Sequence, residues 1–111
     1  MNQRILKVNK LVKQEVGKII LSEADFSRDI VLTITKVKTS KDLRYADVFV
    51  SVLPSDKEIE IMELLKEDIY FIQQKLNKRL QMKPLPRIKF VIDKSGEDVS
   101  RIDELIRENE L

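Results

Sequence analysis

Apolar residues recur along this chain at two different periods, and the places where the period changes mark its elements. Between Gln3 and Leu21, the residues Ile5, Val8, Val12, Val16 and Ile19 return every three or four positions, the interval of one helix face. Asn2 stands where an N-cap belongs. Residues 30–38, "IVLTITKVK", are rich in β-branched side chains and predict a strand, because such side chains fit a pleated surface. Residues 45–53 alternate, with Ala46, Val48, Val50 and Val52 on one face and Asp47 and Ser51 on the other, which predicts a second strand. The five residues "TSKDL" between them include Asp42, whose side chain can accept from its own backbone, so the two strands should form an antiparallel hairpin.

The helical period then resumes. Ser55 and Glu58 have the spacing of a capping box, and the stripe Ile59, Met62, Leu65, Ile69, Ile72, Leu76 and Leu80 follows. Pro84 and Pro86 cannot continue a helix and should end it. Residues 87–92, "RIKFVI", alternate again and predict a third strand. After the turn "DKSGED", Ser100 and Asp103 can cap a short final helix carrying Ile102, Leu105 and Ile106. This order predicts an α+β fold in which helices pack on one face of a small sheet. At 111 residues and 42% apolar content the chain suffices for one core, so residues 1–111 are expected to form a single domain.

Composition changes this picture by subtraction. There is no cysteine and no histidine. A disulfide framework, a thiol nucleophile, a Cys-ligated zinc site and a Ser-His-Asp mechanism are therefore all excluded. Gly17 and Gly96 stand alone, so no glycine-rich phosphate loop exists. Carboxylates are plentiful, but no motif pairs them, and "DKSGED" lacks the ligand spacing of a calcium loop. No enzyme and no cofactor are expected. Neither a signal-peptide core nor a membrane span is visible, so the expectation is a soluble cytoplasmic protein with no membrane partner.

The charges are the feature that asks for an explanation. A formal net charge of +2 conceals separated blocks. Residues 1–14 carry Arg4, Lys7, Lys10 and Lys13 without an acid, and residues 93–111 carry seven acids against three bases. Within the second helical region, residues 56–70 hold six acids against two lysines, whereas residues 71–92 hold six bases and no acid. The helix macrodipole favours such a gradient by roughly 0.3–1 kcal/mol per charge. Lys83, Arg87 and Lys89 lie past the helical stripe, however, and continue the bias, as an electrostatic footprint for an anionic partner would. The polar side of the first helix presents Lys7, Lys10 and Lys18 beside Gln3 and Gln14, again without a carboxylate. Lys41 and Arg44 lie at the hairpin tip, where Arg44 has Asp42 and Asp47 as alternative partners. Tyr45, Phe49, Tyr70 and Phe71 are candidates for stacking on unpaired bases, but Phe71 at least is expected in the core. At 5% aromatic content no stacking platform is expected, which favours phosphate and shape recognition over base reading.

Two stretches resemble a known family. "TSKDLRYADVFVSVL" is similar to the hairpin pattern of bacterial ribosome-binding factor A at Ser40, Asp42, Leu43, Arg44, Ala46, Val48, Phe49, Val50 and Ser51. "LPRIKFVIDKSGEDVSRIDEL" matches its second pattern at Pro86, Ile88, Phe90, Asp93, Ser95, Arg101 and Ile102. Lys41, Tyr45 and Val99 depart from the family's usual proline, histidine and glycine. The resemblance implies a type II KH-like domain in which a kink between two helices replaces the Gly-x-x-Gly loop. It also implies a role in late maturation of the small ribosomal subunit and its ribosomal RNA, as a monomer when free. The family's Ala-x-Gly kink falls on Asp68, Ile69 and Tyr70, so a break is expected there with Asp68 as the cap of a new helix. The candidate RNA contacts are Lys7, Lys10, Lys41, Arg44, Lys75, Lys78, Arg79, Lys83 and Arg101. The competing reading is a protein-interaction module that uses the sheet edge or apolar helix faces. A carboxylate hydrolase stands a distant third.

Overall fold

The computed structural model describes residues 3–23 and 29–95. Its elements are α1 (Gln3–Glu23), β1 (Val31–Thr39), β2 (Tyr45–Leu53), a 3-10 turn (Ser55–Lys57), α2 (Glu58–Arg79) and β3 (Arg87–Ile92). β2 is the central strand, antiparallel to β1 and parallel to β3. A parallel pair needs a crossover of a dozen or more residues, and α2 supplies it. The fold is α+β as its periodicities require.

Both helices cover the same face of the sheet. Ala46, Val48, Val50 and Val52 of β2 are buried with Val37 of β1 and with Ile88 and Phe90 of β3. Over them pack Val8, Val12, Val16, Ile19 and Ile20 of α1 and Ile61, Leu65, Ile72 and Leu76 of α2. The register slips between Ile34 and Lys36, leaving Thr35 as an extra residue in β1. This bulge keeps Leu32 and Ile34 on the side of Val52 and Val50 while turning Lys36 to face Phe49 on the opposite side.

Two side-chain amides fix the helices to the sheet. Asn9 Oδ1 accepts from the Thr39 amide at 2.8 Å and from the Thr39 hydroxyl at 2.5 Å. Gln73 accepts from the Ile88 amide at 2.9 Å and donates to the Pro86 carbonyl at 3.0 Å. Thr39 and Ile88 both pair with Ala46 across the sheet, so the two helices are held over a single row of three residues.

Several sequence expectations need correction. α2 runs unbroken through Asp68, Ile69 and Tyr70, so the expected kink and the Asp68 cap are not formed. No glycine or proline interrupts this segment, and Leu65, Ile72 and Leu76 stay buried on one stripe across it, which leaves no physical cause for a bend. The capping box is also absent. The N-cap of α2 is Lys57, without a side-chain cap bond, because the chain enters through the 3-10 turn, where Lys57 donates to the Pro54 carbonyl at 3.0 Å. Ile59 is 76% exposed and Ile61 is buried in its place, two positions on and therefore on the other side of the helix. Phe71, expected in the core, is half exposed. α1 extends two residues past the expected end, to Glu23. Asn2, residues 24–28 and the expected final helix around Ile102 lie outside the described residues.

Ala46 is 1% exposed at the centre of the row the helices clamp. Ala46→Leu should overpack that row and destabilise the fold by about 1–3 kcal/mol. Chemical denaturation measures this directly, and a neutral result would mean that the helices do not close on the sheet there.

Candidate nucleic-acid interface

The contacts that fix the helices also gather the cations. Asn9 ties the N-terminal half of α1 to the hairpin end of β1. The Arg87 amide donates to the Arg44 carbonyl at 2.8 Å, setting the start of β3 beside the hairpin. Gln73 brings the C-terminal half of α2 to the same strand, and Arg79 reaches Glu15 of α1 at 3.1 Å. Lys7, Lys10, Lys41, Arg44, Lys78, Arg79 and Lys83 are exposed on elements that converge at this one end. Lys75 is half-buried, with its ammonium 4.9 Å from the Phe71 ring centroid. Arg101 lies outside the described residues.

The acidic start of α2, with Glu58 and Glu60 in its first turn, follows the opposite end of β2. Nine residues of strand separate the ends by about 30 Å. That is several times the ~8 Å screening length at physiological salt. The first-turn acids of α2 therefore leave the basic end's field largely intact. Glu15, which pairs with Arg79 and, at 3.5 Å, with Lys18, and Asp42, in the hairpin tip beside Arg44, do lie at close range.

The hairpin tip is built by local hydrogen bonds. Asp42 Oδ1 accepts from the Ser40 hydroxyl at 2.6 Å and the Arg44 amide at 3.1 Å. These two bonds, the Ser40 one foremost, hold the Asp42 carboxyl below the usual carboxylate range. Asp42 thus binds the backbone of Arg44 rather than its guanidinium. Leu43 takes a left-handed conformation with φ of 63°, and burial of its side chain offsets the roughly 1–2 kcal/mol this costs. The result is a tight turn that presents Lys41 and Arg44 outward.

A model of the family described as ribosome-binding factor A matches residues 4–106. The chain belongs to the ribosome-binding factor A family. A ribosome-binding factor A from Thermodesulfovibrio yellowstonii is 35% identical over 106 residues, covering 96% of this chain and 90% of the relative. The crystal structure of ribosome-binding factor A from Thermus thermophilus superposes with a TM-score of 0.69 at 22% identity, covering 79% of this chain and 94% of that one. A homology model of the Thermus thermophilus factor, fitted into a cryo-EM map of its complex with the 30S subunit, gives 0.64 at 22% identity, covering 78% and 91%.

Much of what makes this chain resemble the ribosome-binding factor A family is architecture. Ser40, Asp42 and Leu43 form the turn, Ala46 admits the helices, and Asp93 locks the sheet. Asp93 Oδ2 accepts from the Thr35 hydroxyl at 2.5 Å, and Asp93 Oδ1 accepts from the Ser95 amide at 2.9 Å and hydroxyl at 2.7 Å. The bulged residue of β1 is thereby joined to the exit of β3 across the central strand.

Sequence reading counted Lys89 in the basic bias but missed Lys36 and Lys38 and the face that the three share. Lys36 and Lys38 occupy outward positions of β1 and Lys89 an outward position of β3. The signal was present in "TKVKT" and "RIKF", where cations alternate with buried apolar residues and so must share a face. A groove of about 600 Å³ also runs between α1 and the β1 edge, with Ile20, Leu32 and Ile34 in its floor and Lys10, Lys13 and Lys18 along its rim.

The Asp93 carboxyl is pulled down to about 2 from 3.8, chiefly by the Thr35 hydroxyl and then by Ser95. A depressed folded-state value means that its contribution is complete above about pH 4 and is lost as pH falls toward 2. The melting-temperature advantage of wild type over Asp93→Asn should thus be constant above pH 4.5 and shrink between about pH 4 and 2. An advantage independent of pH over that interval would show that the carboxylate charge does not hold the Thr35 contact.

Proposed function

We propose that this chain is a non-enzymatic, cytoplasmic assembly factor that binds the immature small ribosomal subunit through its ribosomal RNA and assists late maturation, including processing of that RNA. The observation that carries this reading is the basic end, to which α1, the hairpin, α2 and the segment before β3 each contribute exposed cations. Cations spread over elements so distant in sequence are not explained by one helix dipole, whose effect fades within a turn. Membership of the ribosome-binding factor A family, and the 30S complex of the Thermus thermophilus relative, support the small subunit as the target. The order helix, hairpin, helix, strand, with β3 parallel to β2, supports a type II KH-like frame. Among the described residues no helix is long and apolar enough to cross a membrane.

The mechanism follows from differential binding. A factor can favour one arrangement of the RNA only by as much as its affinity differs between the two arrangements. Moving that RNA from 1:99 to 99:1 requires a preference of about 10⁴-fold. A rigid basic end whose cations match phosphates in the immature form, and miss several of them in the mature form, supplies such a difference without any chemical step. The same mismatch releases the factor.

Lys78, Lys83 and Lys10 give the cleanest test, since Arg79 holds Glu15 and Lys75 lies over Phe71. Replacing each of the three with glutamine should weaken binding to immature small subunits. It should also flatten the salt dependence by about 0.7–0.9 in slope for each phosphate that is no longer neutralised, while thermal unfolding stays unchanged. An unchanged slope would move the RNA surface elsewhere. Wild-type binding that ignores salt would instead favour a protein partner in the α1–β1 groove.

A further inference from the structure

The face of the sheet turned away from the helices has no part in the interface described above, and its side chains are unusual for a solvated surface. Three outward rows cross it at the hairpin end. Tyr45 pairs with Arg87, Asp47 lies between Lys38 and Lys89, and Phe49 lies between Lys36 and Val91. These rows carry four cations and one acid. None of the four cations makes an ion pair with another described residue.

Two of them are instead held over an aromatic ring. The Lys36 ammonium is 4.7 Å and the Lys38 ammonium 5.8 Å from the Phe49 ring centroid. Attraction to the ring quadrupole is worth about 0.5–1 kcal/mol per contact at exposed sites, and Asp47 opposite Lys38 and Asp93 near Lys36 offset only part of the repulsion between the two ammonium groups. Tyr45 is 57% exposed, four residues along the same strand and so about 14 Å away. Beside it a cleft of about 410 Å³ is lined by Tyr45, Asp47, Arg87, Ile88 and Lys89.

We infer that this open sheet face is a second RNA surface, one that takes an unpaired strand by stacking bases on Phe49 and Tyr45 while Lys36, Lys38, Arg87 and Lys89 hold its phosphates. Aromatic rings between cations are the chemistry of single-strand binding, because every base offers a π-face whatever its sequence. Exposed rings favour unpaired RNA, whose bases can be splayed out and stacked, over a duplex, whose bases are already stacked on one another. The Arg87 amide bond to Arg44 makes this face continuous with the basic end, and an unpaired segment leaving that end would run onto it. Phosphates draw the Lys36 and Lys38 ammonium groups off the Phe49 ring, and a base takes their place. This surface rests on the reading of the chain as an RNA-binding factor, but it uses none of the residues tested there.

The test is binding of the full chain to a labelled, unstructured oligoribonucleotide of eight nucleotides. A duplex of the same length and a polyaspartate peptide of equal charge serve as comparisons. Phe49→Leu with Tyr45→Leu should weaken the oligoribonucleotide by at least about tenfold and leave polyaspartate unchanged. Lys36→Gln with Lys38→Gln, which touches no apolar contact of the core, should weaken both. Thermal unfolding checks that each variant is folded. Polyaspartate or duplex binding as tight as the single strand overturns the inference, as does single-strand affinity unaffected by both double variants. Loss of small-subunit binding in the Lys10, Lys78 and Lys83 variant alone, with the sheet variants at wild-type affinity for the oligoribonucleotide, would retain the basic end and reject the sheet face.

Discussion

Both sheet edges end in a side-chain amide, and the rest of the structure depends on that closure. β1 and β3 are edge strands, whose outward backbone groups would otherwise be left without partners where the helices exclude water. Asn9 takes the Thr39 amide and Gln73 takes the Ile88 amide. Each bond satisfies a backbone donor that is costly to leave unpaired, and each also fixes the position of a helix along its strand. Ala46, the residue between them, is small enough to let both helices come down. The basic end exists because these two amides bring α1 and α2 to the same end of a three-stranded sheet.

The polarity of α2 acquires meaning in that frame. Twenty-two residues of helix span about 33 Å, enough to carry charge from one end of the molecule to the other. Acids in its first turn and Lys78 and Arg79 in its last both suit the macrodipole, so the gradient stabilises the helix while it separates two surfaces. Neither a kink nor a change of direction is needed to produce the change of sign.

The strands were legible because β-branched alternation leaves little choice, and the hairpin because Asp42 and the length of the turn allow few alternatives. α1 was equally plain, its stripe being uninterrupted. The readings that failed, all in α2, rested on one local signal or on resemblance alone. Ser55 and Glu58 have capping-box spacing, yet a 3-10 turn met the backbone donors first. Ile59 fitted a period of three as well as Ile61 fits a period of four, and only packing on the sheet decides between them. The break at Asp68 came from resemblance, although the residues themselves contain no breaker. At the candidate site, the clustering of Lys7, Lys10, Lys41, Lys78 and Lys83 depends on contacts between residues as far apart as Glu15 and Arg79. Sequence spacing carries no trace of such contacts. The outward lysines of β1 and β3 were readable in principle, but they gain significance only once β2 sets Phe49 between them.

The central claim is that the hairpin end, and not the acidic end, meets the ribosomal RNA. Lysine reactivity toward a small amine-modifying reagent, compared in the free protein and on immature small subunits, tests this at single residues. Lys7, Lys10, Lys41, Lys78 and Lys83 should lose reactivity on the subunit, while Lys57 and Lys66, in the acidic half, keep their free-protein rates. Protection of Lys57 and Lys66 with unchanged reactivity at the hairpin end would contradict the account.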